Sequence, residues 1–91
     1  VNSVDKKKLR AQAHALKPVV MIGQAGLTDA VLAEIELALN SHELIKVKIR
    51  AERDERKPIT ENICQGTRAE LIQTIGQIAV IYRLNPNKPN K

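Results

Sequence analysis

Phe and Trp are absent from this chain and Tyr82 is its single aromatic residue. That excludes the row of aromatic platforms on which single-strand binders usually stack bases, so any nucleic-acid contact has to rely on phosphates, sugars and shape. Cysteine occurs once, as Cys64, so one chain can form neither an internal disulfide nor a cysteine zinc cage, and a reducing compartment fits. Its simplest role is that of a small apolar residue on a helix. No apolar run approaches a membrane span, and no charged start followed by an apolar run and a cleavage site is present. The expectation is a soluble cytoplasmic protein without membrane contact. His14 and His42 have no neighbouring Cys or paired carboxylate to complete a metal site. Glu34 and Glu36 stand two apart on a helix and do not face each other as an acid–base pair would. No catalytic residue, metal or cofactor is expected, and the chain does not read as an enzyme.

What is present is a chain of 91 residues, 43% hydrophobic, which suits a single domain over residues 1–84 with a core of Val, Ile, Leu and Ala. The proline-broken polar tail, residues 85–91, is expected to be disordered. The net charge of +5 is unevenly spread. Residues 1–26 carry +4, residues 27–44 carry −4, residues 45–57 carry +3 and the remainder +2. One acidic helix among basic segments gives a positive surface with a direction, as expected of a protein that binds a polyanion.

Periodicity predicts the order α-β-α-β-α-β-β. From Val4, capped by Ser3, a helix places Leu9, Ala13 and Leu16 on one stripe and is stopped by Pro18. Val19 to Ile22 are apolar without a break, which predicts a central strand buried on both faces. Thr28 caps a second helix reaching about Ser41, with Val31, Leu32, Ile35, Ala38 and Leu39 on one arc and Leu37 outside it. Ile45, Val47 and Ile49 alternate with Lys46, Lys48 and Arg50, a strand with one core face and one solvent-facing row of cations. A third helix starts at Asp54 or Lys57, with Pro58 in its first turn, Ile59 and Ile63 inward and Gly66 as its stop. Leu71–Ile75 and Ile78–Tyr82 then pair across a two-residue Gly76-Gln77 turn. The second and third helices are expected on one face of a four-stranded mixed sheet and the first helix on the other, beside the Val19 strand.

The stretch most suggestive of function is Gly23-Gln24-Ala25-Gly26, which joins the first strand to a helix start at Thr28. Two glycines let the backbone approach a partner without a Cβ between them, and amides at the positive end of a helix favour a phosphate. The pattern serves any strand-to-helix turn equally well, so the turn alone decides nothing. A nucleotide P-loop would follow its last glycine with Lys and Ser or Thr, whereas Leu27 and Thr28 stand there.

Three blocks in order, Leu-Lys-Pro-Val-Val-Met-Ile-Gly-Gln-Ala-Gly-Leu-Thr, Val-Leu-Ala-Glu-Ile-Glu-Leu-Ala-Leu and His-Glu-Leu-Ile-Lys-Val-Lys-Ile, closely resemble the CRM domain, in its stand-alone bacterial form. The resemblance covers residues 4 to 84. It implies an RNA-binding α/β module similar in fold to the C-terminal domain of translation initiation factor three, with its Gly-x-x-Gly loop at Gly23, Gln24, Ala25 and Gly26. The chain departs from many relatives in having no basic residue between the two glycines. Loop binding then depends on backbone amides, Gln24 and nearby cations such as Lys17 or Lys46. The function implied is ribosome assembly, with precursor 23S ribosomal RNA or pre-50S particles as partner; the chain is expected to be a monomer. The expected RNA-binding surface comprises Lys6, Lys7, Lys8, Arg10 and Lys17, the loop with Thr28, and Lys46, Lys48, Arg50, Arg53 and Arg83. Two other readings stay open on the residues: a small domain holding a phosphorylated metabolite at the glycine turn, and an adaptor that docks a protein on the acidic helix through Leu37.

Overall fold

The computed structural model describes residues 3–23 and 25–84. Its elements follow the expected order: α1 (Ser3–Ala13), β1 (Pro18–Ile22), α2 (Asp29–His42), β2 (Leu44–Ile49), α3 (Arg53–Thr67), β3 (Glu70–Ile75) and β4 (Ile78–Tyr82). The four strands form one mixed sheet in the order β1-β2-β4-β3, with β1 parallel to β2 and β4 antiparallel to both of its neighbours. The fold class read from the sequence is the one observed.

The two sides of the sheet are packed differently. On one side α2 and α3 meet Val20, Ile22, Ile45, Val47, Ile49, Ala79 and Ile81 through Ile35, Leu39 and Ile63. Burial of each large aliphatic side chain in this layer contributes about 1.5–3 kcal/mol. On the other side α1 lays Ala13, with Leu9, against Leu44, Ile72 and Val80. This explains why β2 opens with two buried residues, Leu44 and Ile45, before settling into alternation.

Four expectations about individual elements need correction. First, β1 is an edge strand rather than a central one. Val20 and Ile22 are buried, but Val19 and Met21 are each 53% exposed, because α1 packs over β2 and β3 and leaves the outer side of β1 bare. Conversely, the cation-bearing strand β2 is central, so its lysines do not serve as guards of a sheet edge. Second, α1 ends at Ala13, four residues short of Lys17; His14 lies in a turn and Leu16 is exposed rather than on the helical stripe.

Third, α3 begins at Arg53, because Glu52 and Glu55 form a reciprocal capping box that satisfies amides at that end. Pro58 therefore sits in the second turn rather than the first. Fourth, Gly66 does not stop α3. It lies inside the helix where a Cβ would meet the Leu32 side chain at 3.5 Å, while Arg68 takes the left-handed C-cap at φ 62°. The β3–β4 turn is as expected, with Gly76 at φ 56° supplying the backbone a two-residue hairpin needs. The expectation of a disordered tail over 85–91 concerns residues outside those described.

Candidate nucleic-acid interface

Three connections converge at one end of the sheet: the turn after β1, the segment between β2 and α3, and the β3–β4 hairpin. Their backbones are tied to each other. The Arg50 amide donates to Ile22 O at 2.9 Å, and the Ile49 amide donates to Gln77 O at 2.7 Å. The glycine turn closes on itself through Gly26 N donating to Gly23 O at 3.0 Å. Thr28 then caps α2, its hydroxyl accepting from Val31 N at 3.2 Å. One expected loop member, Gln24, lies outside the described residues.

The two glycines have different physical reasons to be glycine. Gly26 has φ 77°, which a residue with a Cβ adopts only at a cost. Gly23 has no such φ, and a Cβ built on it would meet nothing within 4 Å. Among the described residues nothing packs where a side chain at position 23 would begin.

The cations predicted from the sequence are not all brought to this end. Arg50 is exposed at the end of β2, its guanidinium 4.0 Å from Met21 Sδ, and Arg53 is exposed on the first turn of α3. Lys48 and Lys46, both half-buried, follow on the sheet face that also carries α1. Lys46 is partly committed, since its Nζ donates to Leu16 O at 3.1 Å and so pins the segment between α1 and β1. Lys17 precedes β1, whereas the glycine turn follows it. The five-residue strand between them puts them about 20 Å apart. The cations beside the loop are thus Lys48 and Arg50 rather than Lys17 or Lys46. Lys6, Lys7, Lys8 and Arg10 ride on α1, over the half of the sheet around Leu44 and Tyr82.

Arg83 departs furthest from expectation. Its guanidinium donates to Glu36 Oε1 at 2.7 Å, to Thr67 O at 2.9 Å and to Asn40 Oδ1 at 2.7 Å. Its side chain is only 17% exposed, so its charge is used to join the end of β4 to α2 and α3 rather than offered to a ligand. The sequence contained a signal for this, an acidic α2 that needs a cation, but no means of choosing which one.

Sequence reasoning missed an open groove of about 840 Å³ between α3 and the hairpin, lined among others by Arg53, Arg56, Lys57, Thr74 and Gln77. Arg56 is half committed there, donating to Ala51 O at 3.0 Å. Both Arg56 and Lys57 belong to the basic segment 45–57 but carry no spacing that marks them out. Among the described residues no group of three or more His, Cys, Asp or Glu is placed to hold a metal, and no helix is long and apolar enough to cross a membrane. His14 and His42 are exposed. Cys64 is half-buried, and burial pushes its thiol above the ordinary value.

A four-stranded mixed sheet with a glycine turn and cations at one end, flanked by helices on both sides, defines a small α/β module with one basic sheet face. The chain belongs to the CRS1/YhbY (CRM) domain family, whose model matches residues 2–83. It is 52% identical over 87 residues to a Pseudomonas aeruginosa protein named "Probable RNA-binding protein", a match covering 94% of this chain and 83% of that one. A Haemophilus influenzae protein named "RNA-binding protein" is 51% identical over 84 residues, covering 91% of this chain and 85% of the other. The solution structure of a Staphylococcus aureus protein, 33% identical, superimposes with a TM-score of 0.84 over 98% of this chain and 94% of that one.

Proposed function

We propose that this chain is an RNA-binding protein of ribosome assembly, which holds or remodels a segment of precursor large-subunit ribosomal RNA, within 23S precursors or pre-50S particles, without chemistry of its own. The observation that carries the reading is the glycine at position 23. Its missing Cβ faces open space, beside Arg50 and at the end of the sheet face that bears Lys48. A backbone left bare where the fold does not require it is what close approach of a phosphate needs. The names of the relatives support the same reading. The RNA-binding residues proposed are Gly23 to Gly26, Lys48, Arg50 and Arg53, with Lys46 and the cations of α1 extending the track across the same face; Arg83 is no longer among them. The domain acts in the cytoplasm and as a monomer.

The test is sedimentation of cell extract through a sucrose gradient, blotting for the protein across free, subunit and whole-ribosome fractions. Enrichment with large-subunit precursors, reversed by high salt, is the expected result. Confinement to the free fractions would overturn the assembly role. At the molecular level, Lys48→Ala with Arg50→Ala weakens RNA binding across sequences and lowers the slope of log affinity against log salt by about 0.7–0.9 for each phosphate that is no longer neutralised. An unchanged slope would refute the proposed surface.

A further inference from the structure

We propose that a row of side chains crossing the bare half of the sheet, Met21, Lys48, Ile78 and Ile75, is a platform for the unpaired bases and riboses of a single RNA strand. The proposal rests on the RNA-binding reading above and narrows it from RNA in general to a single-stranded segment. The row follows from strand register. Met21 on β1 pairs with Lys48 on β2, Lys48 with Ile78 on β4, and Ile78 with Ile75 on β3. Paired residues point to the same face, so the four side chains form one transverse line about 14 Å long from edge to edge.

The two ends of this line, Met21 and Ile75, are left uncovered by α1, whose cluster with Leu44, Ile72 and Val80 reaches only as far as Ile78. Met21 is 53% and Ile75 50% exposed. Scattered apolar side chains on a surface need no explanation, but exposed apolar side chains aligned in one row with a lysine between them do. Lys48 stands within the row, and Arg50 reaches Met21 Sδ at 4.0 Å. β1 also leads from Met21 through Ile22 directly into Gly23.

A row in which apolar side chains alternate with and adjoin cations suits a ligand that is both anionic and flat-faced. Unpaired nucleotides have those two properties, whereas a duplex keeps its base faces stacked inside and offers phosphates and 2′-hydroxyls. Aliphatic and thioether side chains replace here the aromatic platforms the sequence lacks, giving contact area without preference among bases. In the adjoining row Gln73 Oε1 is buried with no hydrogen-bond partner among the described residues.

The test compares the wild-type chain with a Met21→Gln, Ile75→Thr double variant and a Met21→Leu control. Each is titrated with an unstructured RNA of about a dozen nucleotides and with a blunt duplex of the same length, over a range of salt. Both altered positions are exposed and Thr retains strand preference, and thermal melting checks that the fold is kept. The double variant is expected to lose about tenfold in affinity for the single strand, with its salt slope and its duplex affinity unchanged. Met21→Leu is expected to bind as wild type does. Unaltered single-strand binding by the double variant, or an equal loss on the duplex, would overturn the platform while leaving RNA binding intact. A wild-type dimer that the double variant dissociates would assign the face to a second copy of the chain instead. A wild-type chain with no salt-dependent RNA affinity would remove the underlying reading together with the platform.

Discussion

Substituting the two loop glycines separately distinguishes a residue the fold needs from one the ligand needs. Gly26→Ala forces a Cβ onto a backbone at φ 77°. The left-handed region costs an L-residue roughly 1–2 kcal/mol, less about 0.4–1 kcal/mol because alanine has fewer unfolded states to lose. The net destabilisation is about 1 kcal/mol, a fall in Tm of roughly 4–8 °C for a domain of this size. Gly23→Ala meets neither penalty, since among the described residues no atom beyond the chain neighbours lies within 4 Å of the new Cβ and φ is not left-handed. Its Tm is expected to stay level or rise slightly. RNA affinity, however, is expected to fall about tenfold, equivalent to about 1.4 kcal/mol, because the methyl group occupies the approach to the loop amides. No cation is removed, so the salt slope is unchanged. Calorimetric melting and fluorescence-anisotropy titration of the same preparations give both numbers. A Gly23→Ala variant that melts early, or that binds RNA as tightly as the parent, would refute the reasoning.

Other expectations concern the scaffold. Arg83→Ala leaves Glu36 and the Thr67 carbonyl without their shared donor; a loss of about 1–3 kcal/mol in denaturant unfolding is expected, with the RNA salt slope unaltered. Arg68→Gly relieves the left-handed C-cap of α3 at φ 62° and is expected to raise stability by about 0.5–1 kcal/mol, read as a higher Tm. Burial raises the Cys64 thiol above 9.0, and burial followed by the nearby Glu43 and Asp5 carboxylates raises the Tyr82 phenol above 10.0. Both groups are favoured in their neutral forms, so their contribution is complete below the unfolded values and is lost as pH climbs through the folded ones. Unfolding midpoints are expected to decline above about pH 9, and less steeply in Cys64→Ala; the same slope in that variant would remove Cys64 from the explanation.

The element order was legible because each element carries its own signal. The alternation from Ile45 to Arg50 and the Gly76-Gln77 turn are statements about local backbone and side-chain period, and both hold in three dimensions. What was not legible is where one layer ends. An unbroken apolar run such as Val19 to Ile22 says that burial is permitted on both sides, not that something lies on both sides. The decisive fact is that α1 settles over Leu44, Ile72 and Val80, about half the sheet, and no local pattern encodes that. The same limit explains Arg83. Its isolated position at the end of a strand reads as surface, and only the tertiary arrangement brings Glu36, Asn40 and Thr67 around it from residues up to 47 positions away. The end of α3 failed for a different reason: Gly66 is an obvious stop, yet it lies inside the helix beside Leu32, and Arg68 takes the left-handed position instead.

The charge pattern acquires its meaning from this two-sided packing. The acidic segment is α2, and α2 lies on the side of the sheet opposite Lys46 and Lys48. Glu36 on that helix is further matched by Arg83, the cation drawn in from the end of β4 to the α2 side. An anion approaching from the α1 side therefore meets lysines and arginines with the acidic helix screened behind a layer of aliphatic core, across a distance of about 10 Å, comparable to a Debye length at 0.1 M salt. If the domain binds a polyanion, it is this sidedness, rather than the net charge of +5, that would set its orientation. Reversing the sign of an exposed α2 residue such as Glu34→Lys raises the net charge by two yet is expected to change RNA affinity far less than Lys48→Ala, which lowers it by one. Equal and opposite effects from the two substitutions would mean that binding follows total charge, and the case for a single RNA-facing side would fall with it.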